Sequence, residues 1–476
     1  MKAEKSEFLY GKRPILKGLI ELLGRSYQYV SILGTDVRGK VFQVTTTGVS
    51  VKESAWSERG FVIRVHNGLG YFEYSIDRID ESNLSSIIES IRERIEYTTK
   101  KIMEHSLEHC SVRPILETST VVDFEGEVHS LPSSSTPEEI VTRLTSIVDR
   151  AHAISEEVRN VSAVLENVRV SKLFLSSKKD LQQSYMWSQG YLYVVSRRGE
   201  ITKYGIKGFS GLKGLEILDE MDIEVESVVE KARLLLSSER VSPGVYDVIC
   251  SPDVSGLIAH EAFGHGVEMD MFVKGRAKAV EYLNKEVASP LVTMHDGASA
   301  AREVSSYAFD DEGVLACDTI IIDKGILKRG ISDIVSADIL GTEPTGNGKR
   351  ESFERKAYAR MTNTFFSPGE SSLKDMIASI EDGYLLEDYY SGMEDPKNWG
   401  IQCVIAYGRE IKNGELTGRI VSPVMITGYV PTLLKSISMV SKEVELSGTG
   451  ACGKGHKEFV KVSAGGPHIK AKARLG

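Results

Sequence analysis

Six consecutive residues, His260-Glu261-Ala262-Phe263-Gly264-His265, constrain this chain more than any other stretch. They bring two imidazoles and a carboxylate close together, a set that can hold a metal ion and activate water. The residues before them predict a helix: Ser251-Pro252 reads as an N-cap followed by proline at the first helical position. Val254, Leu257 and Ile258 then mark one apolar stripe, and Glu261 falls on the same stripe. A carboxylate on the inward face of a helix costs free energy unless it is paired, so the position is kept for a purpose. The spacing is unusual. Histidines four apart sit about 40° from one another around a helix, whereas histidines five apart sit about 140° from one another. An unbroken regular helix could not aim both at one ion. Gly264 and Gly266 flank the second histidine, and the expectation is that the helix breaks near Gly264 and His265 swings back toward His260. The plainer alternative is a buried His–Glu pair at a helix end.

The 476 residues are too many for one ordinary core, so two or three domains are expected. A net charge of -9 without any basic block argues against a nucleic-acid partner. No apolar run is long enough to span a membrane, and Met1–Glu7 lacks the apolar core of a signal peptide. The five cysteines, Cys110, Cys250, Cys317, Cys403 and Cys452, are scattered and odd in number. That pattern suits a reducing compartment, and a cytoplasmic location is expected.

In chain order, a helix over 12–24 is followed by strand-like runs, a turn at Asn67-Gly68, and a helix through Leu84, Ile87, Ile88, Ile91 and Ile95. Residues 1–110 thus predict a small α+β unit. Thr136-Pro137-Glu138-Glu139 is a capping box opening a second unit, 111–240, of one helix and an antiparallel sheet. Ser242-Pro243-Gly244 marks the boundary of a strand-rich domain, 241–476. The predicted fold class is α+β: two N-terminal units of antiparallel sheet plus helices, then a mixed α+β C-terminal domain. His66, His105, His109, His129 and His152 are dispersed and are expected to be structural or solvated.

A catalytic zinc site takes three protein ligands and leaves one open position. Glu268 and Asp270, just downstream, are candidates for the third ligand. So is Cys452, whose neighbouring glycines let the backbone curl so that the sulfur faces an ion. Gly448, Gly450 and Gly453 formally spell a dinucleotide-binding pattern, but a strand follows where a helix is required. Asp310-Asp311-Glu312 could orient a metal-bound histidine or bind a substrate's amino end, and Arg360 to Thr364 could hydrogen-bond a substrate. Each could equally be structural.

Taken together, His260–Gly266, Asp310-Asp311-Glu312-Gly313, Arg360-Met361-Thr362-Asn363-Thr364 and Cys452-Gly453-Lys454, in that order, resemble the TldD/PmbA metalloprotease family. The likeness is firm from about 240 onward and weaker before. It implies a zinc metalloprotease acting on peptides or unfolded segments, with His260, His265 and Cys452 as ligands and Glu261 as general base. Asp310, Asp311, Arg360, Asn363 and Lys454 are the candidate substrate contacts. The partner would be a second copy, or a related chain lacking the metal motif. Gly455-His456 departs from the family pattern and leaves substrate contact there open. The competing functions are a small-molecule amide hydrolase or deformylase, and a non-catalytic binding subunit.

Overall fold

The computed structural model describes residues 1–104, 112–455 and 458–476; the expected boundary near 110, together with His105, His109, Cys110 and His456, lies outside the described residues. The chain is mixed α+β. The first helix, Glu7–Gly24, starts where the Ser6 side chain accepts the Leu9 N–H, and it buries Leu9, Leu16, Leu19, Ile20 and Leu23 on one face. The capping box at Thr136 forms as its sequence predicts and opens the helix Pro137–Ile154.

The two N-terminal units expected from the sequence share one eight-stranded sheet. Its order is Tyr71–Ile76, Glu58–His66, Tyr29–Thr45, Val158–Ser176, Lys179–Arg198, Thr120–Glu125, with Gly48–Glu53 and Ile201–Gly211 as side branches. Tyr29–Thr45 pairs with Val158–Ser176 from Ser31↔Ser176 to Thr45↔Ser162. The cause is strand length. At 17 and 19 residues these two strands can carry two separate helical covers on one backbone ladder. Ile32, Leu173 and Leu175 form a core under the first helix, while Phe42, Val44 and Leu165 form another under Pro137–Ile154 and Val225–Leu235.

In the second half, Gly244–Cys250 pairs with Asp382–Asp395 on one side and Ile469–Leu475 on the other. Val424–Tyr429 and Gly400–Lys412 continue the sheet, and Gly400–Lys412 pairs back onto Asp382–Asp395, closing a ring of strands. Asp382–Asp395 is a strand that the sequence reading left unassigned. A separate six-stranded sheet contains Asn363–Phe366 and Ser463–Gly466. The helix after Ser251 packs so tightly on that sheet that a Cβ at Gly256 would stand 2.4 Å from the Gly465 nitrogen.

Candidate metal centre

The helix does not break at Gly264, contrary to the expectation from its glycines. An α-helical turn, Pro252–Leu257, widens into a π-helix over Ile258–Gly264 and tightens into a 3-10 turn over His265–Val267. Gly264 keeps helical dihedrals, φ -59 and ψ -48. The His265 N–H donates to the His260 carbonyl, an i→i+5 bond between the two histidines themselves. Such a turn stacks residues five apart on one face, which an α-helix cannot do. The rings lie 5.1 Å apart between centroids and nearly perpendicular, at 84°. The glycines are needed for close approach. A Cβ on Gly264 would meet the Met361 sulfur at 2.2 Å, and one on Gly266 would meet Glu394 Oε1 at 2.8 Å. Gly264→Ala is therefore expected to destabilise the fold by about 1–3 kcal/mol through overpacking. Thermal unfolding of the variant would read this directly.

Cys452 arrives from a hairpin of Ala451–Lys454 and Glu458–Lys461. Its Sγ lies 3.4 Å from His265 Nε2, and the donor atoms of His260, His265 and Cys452 all fall within 4.8 Å of one another. Burial works against ionisation of the thiol, but the adjacent His260 and His265 rings hold it well below its ordinary value. The sulfur is thus disposed to bind as a thiolate. His260 Nδ1 is buried and has no hydrogen-bond partner among the described residues. Both observations fit a metal-binding set.

The surrounding residues orient this set. His265 Nδ1 faces Glu268 Oε2 at 3.4 Å, the outer-shell arrangement that leaves the other ring nitrogen free for an ion. Glu268 is buried between Lys454, at 3.0 Å, and Arg360, at 3.7 Å. Burial opposes its charge, yet Lys454, His265 and Arg360 hold its carboxyl well below the usual range. Arg360 also donates to the carbonyls of Cys452, at 2.5 Å, and Glu458, at 3.1 Å, clamping the hairpin in place. Glu261 stands 3.9 Å from a ring nitrogen of each histidine. It lies over Gly392, where any Cβ would meet its Cγ at 2.6 Å.

Several expected residues fall elsewhere. Glu268 and Asp270 are not in the donor cluster: Glu268 backs His265, and Asp270 pairs with Lys454 and Lys274. Asp310 accepts backbone N–H groups of Glu312, Val314 and Gly348, and Asp311 pairs with Lys172 and accepts the Arg350 N–H. Asn363 is buried and donates to the Gly297 carbonyl and the Ser306 hydroxyl. Of the residues suggested for substrate, Lys454 lines the cleft that opens over Glu261 and His265, a cavity of about 550 Å³. Glu394, missed from the sequence, lines it too. Burial pushes the Glu394 carboxyl up to about 8, against His265 and with Glu261 and Glu268. Glu394 lies on the strand Asp382–Asp395, and no motif in its local sequence marks it.

Residues 243–473 match the model of the PmbA/TldA metallopeptidase C-terminal domain. A metalloprotease of Methanothermobacter thermautotrophicus is 31% identical over 347 residues, 72% of this chain and 75% of that protein. A Saccharolobus solfataricus protein named a zinc metalloprotease TldD homolog is 30% identical over 339 residues, 70% of this chain and 75% of its own length. Among solved structures, TldE from Thermococcus kodakarensis superimposes with a TM-score of 0.74 at 19% identity, over 96% of this chain and 99% of that one.

Proposed function

This chain belongs to the TldD/PmbA metallopeptidase family, and from that premise we propose that it is a zinc-dependent peptidase in which His260, His265 and Cys452 hold the ion and Glu261 transfers the proton. The reading is carried by one observation, the convergence of three donor atoms within 4.8 Å from positions up to 192 residues apart in the sequence, 452 minus 260. Zinc bound there would supply a Lewis acid and a water acidic near pH 7. Two neutral imidazoles and one thiolate would leave such a site with a net charge of about +1.

The chain's own residues do the rest. Glu261, open to the cleft, takes a proton from water and returns it to the leaving amine. Glu268 faces His265 Nδ1 at 3.4 Å and would keep the ring's proton on that nitrogen, leaving Nε2 for the ion. Arg360 holds the Cys452 carbonyl, and with it the sulfur. Glu268→Gln is expected to weaken zinc binding about 10–100-fold, read by competition with a chelating dye.

The substrate proposed is a peptide or an unfolded segment, for which the open cleft of about 550 Å³ has room. Zinc-loaded protein should cleave unstructured peptides and leave formylated and acylated amino acids intact. Preferential hydrolysis of the latter would turn the assignment toward a small-molecule amidase. The likeness to a TldE fold supports assembly as a pair, with a second copy or a related chain lacking the metal motif. A cytoplasmic location is proposed as well; among the described residues no helix is long and apolar enough to cross a membrane.

A further inference from the structure

The cleft of about 550 Å³ over Glu261 and His265 has three basic residues on its wall, Lys274, Arg276 and Lys454. Its carboxylates are Glu261, Glu268 and Glu394. Most of these charges answer one another. Lys454 Nζ lies 3.0 Å from Glu268 and 2.6 Å from Asp270, and Lys274 Nζ lies 2.9 Å from Asp270. Glu261 and Glu394 stand beside the histidine turn, where the positive charge of a bound ion would face them. Glu261 is 3.9 Å from a ring nitrogen of each histidine, and Glu394 Oε1 would be 2.8 Å from a Cβ on Gly266. Arg276 is the exception. It is exposed, and its guanidinium has no ion pair or hydrogen bond among the described residues.

The backbone fixes where this arginine stands. The short helix Met269–Val273 ends through Gly275, which takes the left-handed region at φ 61. The Gly275 N–H donates to the Phe272 carbonyl at 3.0 Å and the Arg276 N–H to the Met271 carbonyl at 2.8 Å, so the chain leaves the helix at a set angle. Two residues on, the Lys278 N–H donates at 2.9 Å to the carbonyl of Pro396, itself part of the cleft wall. Main-chain bonds on both sides therefore hold Arg276 at the cleft, while its side chain is left for what enters. A guanidinium presents N–H groups in a planar fork that matches two carboxylate oxygens. One unmatched cation suits one negative charge, which on a peptide is a carboxylate.

We propose that Arg276 is a specificity-determining residue of this cleft, and that the chain prefers peptides presenting a carboxylate to it, from an acidic side chain or from the C-terminus. The inference rests on the peptidase reading and deepens it by naming the substrate class.

The test reads binding, not turnover, on the zinc-loaded full chain carrying Glu261→Gln. The neutral probe is an unstructured alanine–serine peptide, acetylated and amidated. One series places a single Glu at successive positions of this peptide, and a further peptide replaces the amide by the free C-terminal acid. Calorimetric titration should show a carboxylate-bearing peptide binding about 5–10-fold more tightly than the neutral probe. A gain in the Glu series assigns the side chain as the source, and a gain in the free acid assigns the C-terminus. Arg276→Gln in the same background should remove the gain, and Arg276→Lys should keep part of it. These substitutions alter an exposed side chain and leave the main-chain bonds around it intact. The proposal is overturned if no carboxylate-bearing peptide gains affinity. It is also overturned if the gain survives in Arg276→Gln, which would assign the carboxylate to the ion instead. Because the comparison needs no hydrolysis, failure of the wild type to cleave these peptides would count against the peptidase reading alone.

Discussion

Glu261→Gln is expected to slow peptide hydrolysis by about 10²–10⁴-fold while zinc remains bound. The substitution keeps the length and shape of the side chain, so its packing over Gly392 is preserved. It keeps all three proposed ligands, because Glu261 lies 3.9 Å from a ring nitrogen of each histidine and outside the donor cluster. What it removes is the ability to accept a proton. Metal content by elemental analysis and kcat on an unstructured peptide, measured on the same preparation, separate the two effects. Full turnover in the variant would remove Glu261 from the proton path, and loss of zinc would make it a ligand.

Cys452→Ala should have the other large effect, a loss of zinc affinity greater than about 100-fold, beyond what removal of an outer-shell partner costs. The thiolate is the softest of the three donors and the one that lowers the site's charge most. The fold should survive, because the deleted sulfur is small and the hairpin stays held by Arg360 through the main-chain carbonyls of Cys452 and Glu458. Circular dichroism checks the fold, and competition against a chromophoric chelator gives the affinity. Wild-type affinity in Cys452→Ala would mean that the two histidines find their third ligand elsewhere, and the site would need to be redrawn.

Much of the centre is legible in the chain because its signals are local. His260, Glu261 and His265 sit in one short segment, and the apolar stripe of Val254, Leu257 and Ile258 marks the helix that carries them. The capping box at Thr136 and the helix ending at Gly24 were readable for the same reason, since caps and periodicity act within a few residues. The way the helix solves the five-residue spacing was not readable. Glycine after a histidine permits a break, a bulge or a close contact alike, and the choice was made by Met361 and Glu394 pressing on Gly264 and Gly266. The joining of residues 29–45 with 158–176 in one ladder was equally hidden, because strand pairing over such a distance leaves no periodic mark.

The sequence by itself determined the chemistry: which donors exist, that two histidines and a glutamate travel together, and that a cysteine among glycines is free to turn toward them. The tertiary structure alone decided the roles. Glu268 became the support of His265 because Arg360 and Lys454 close on it, whereas Asp310 and Asp311 were drawn into backbone and lysine contacts of their own. A carboxylate takes the role of whichever charges and donors surround it, and those neighbours come from segments that only folding brings together.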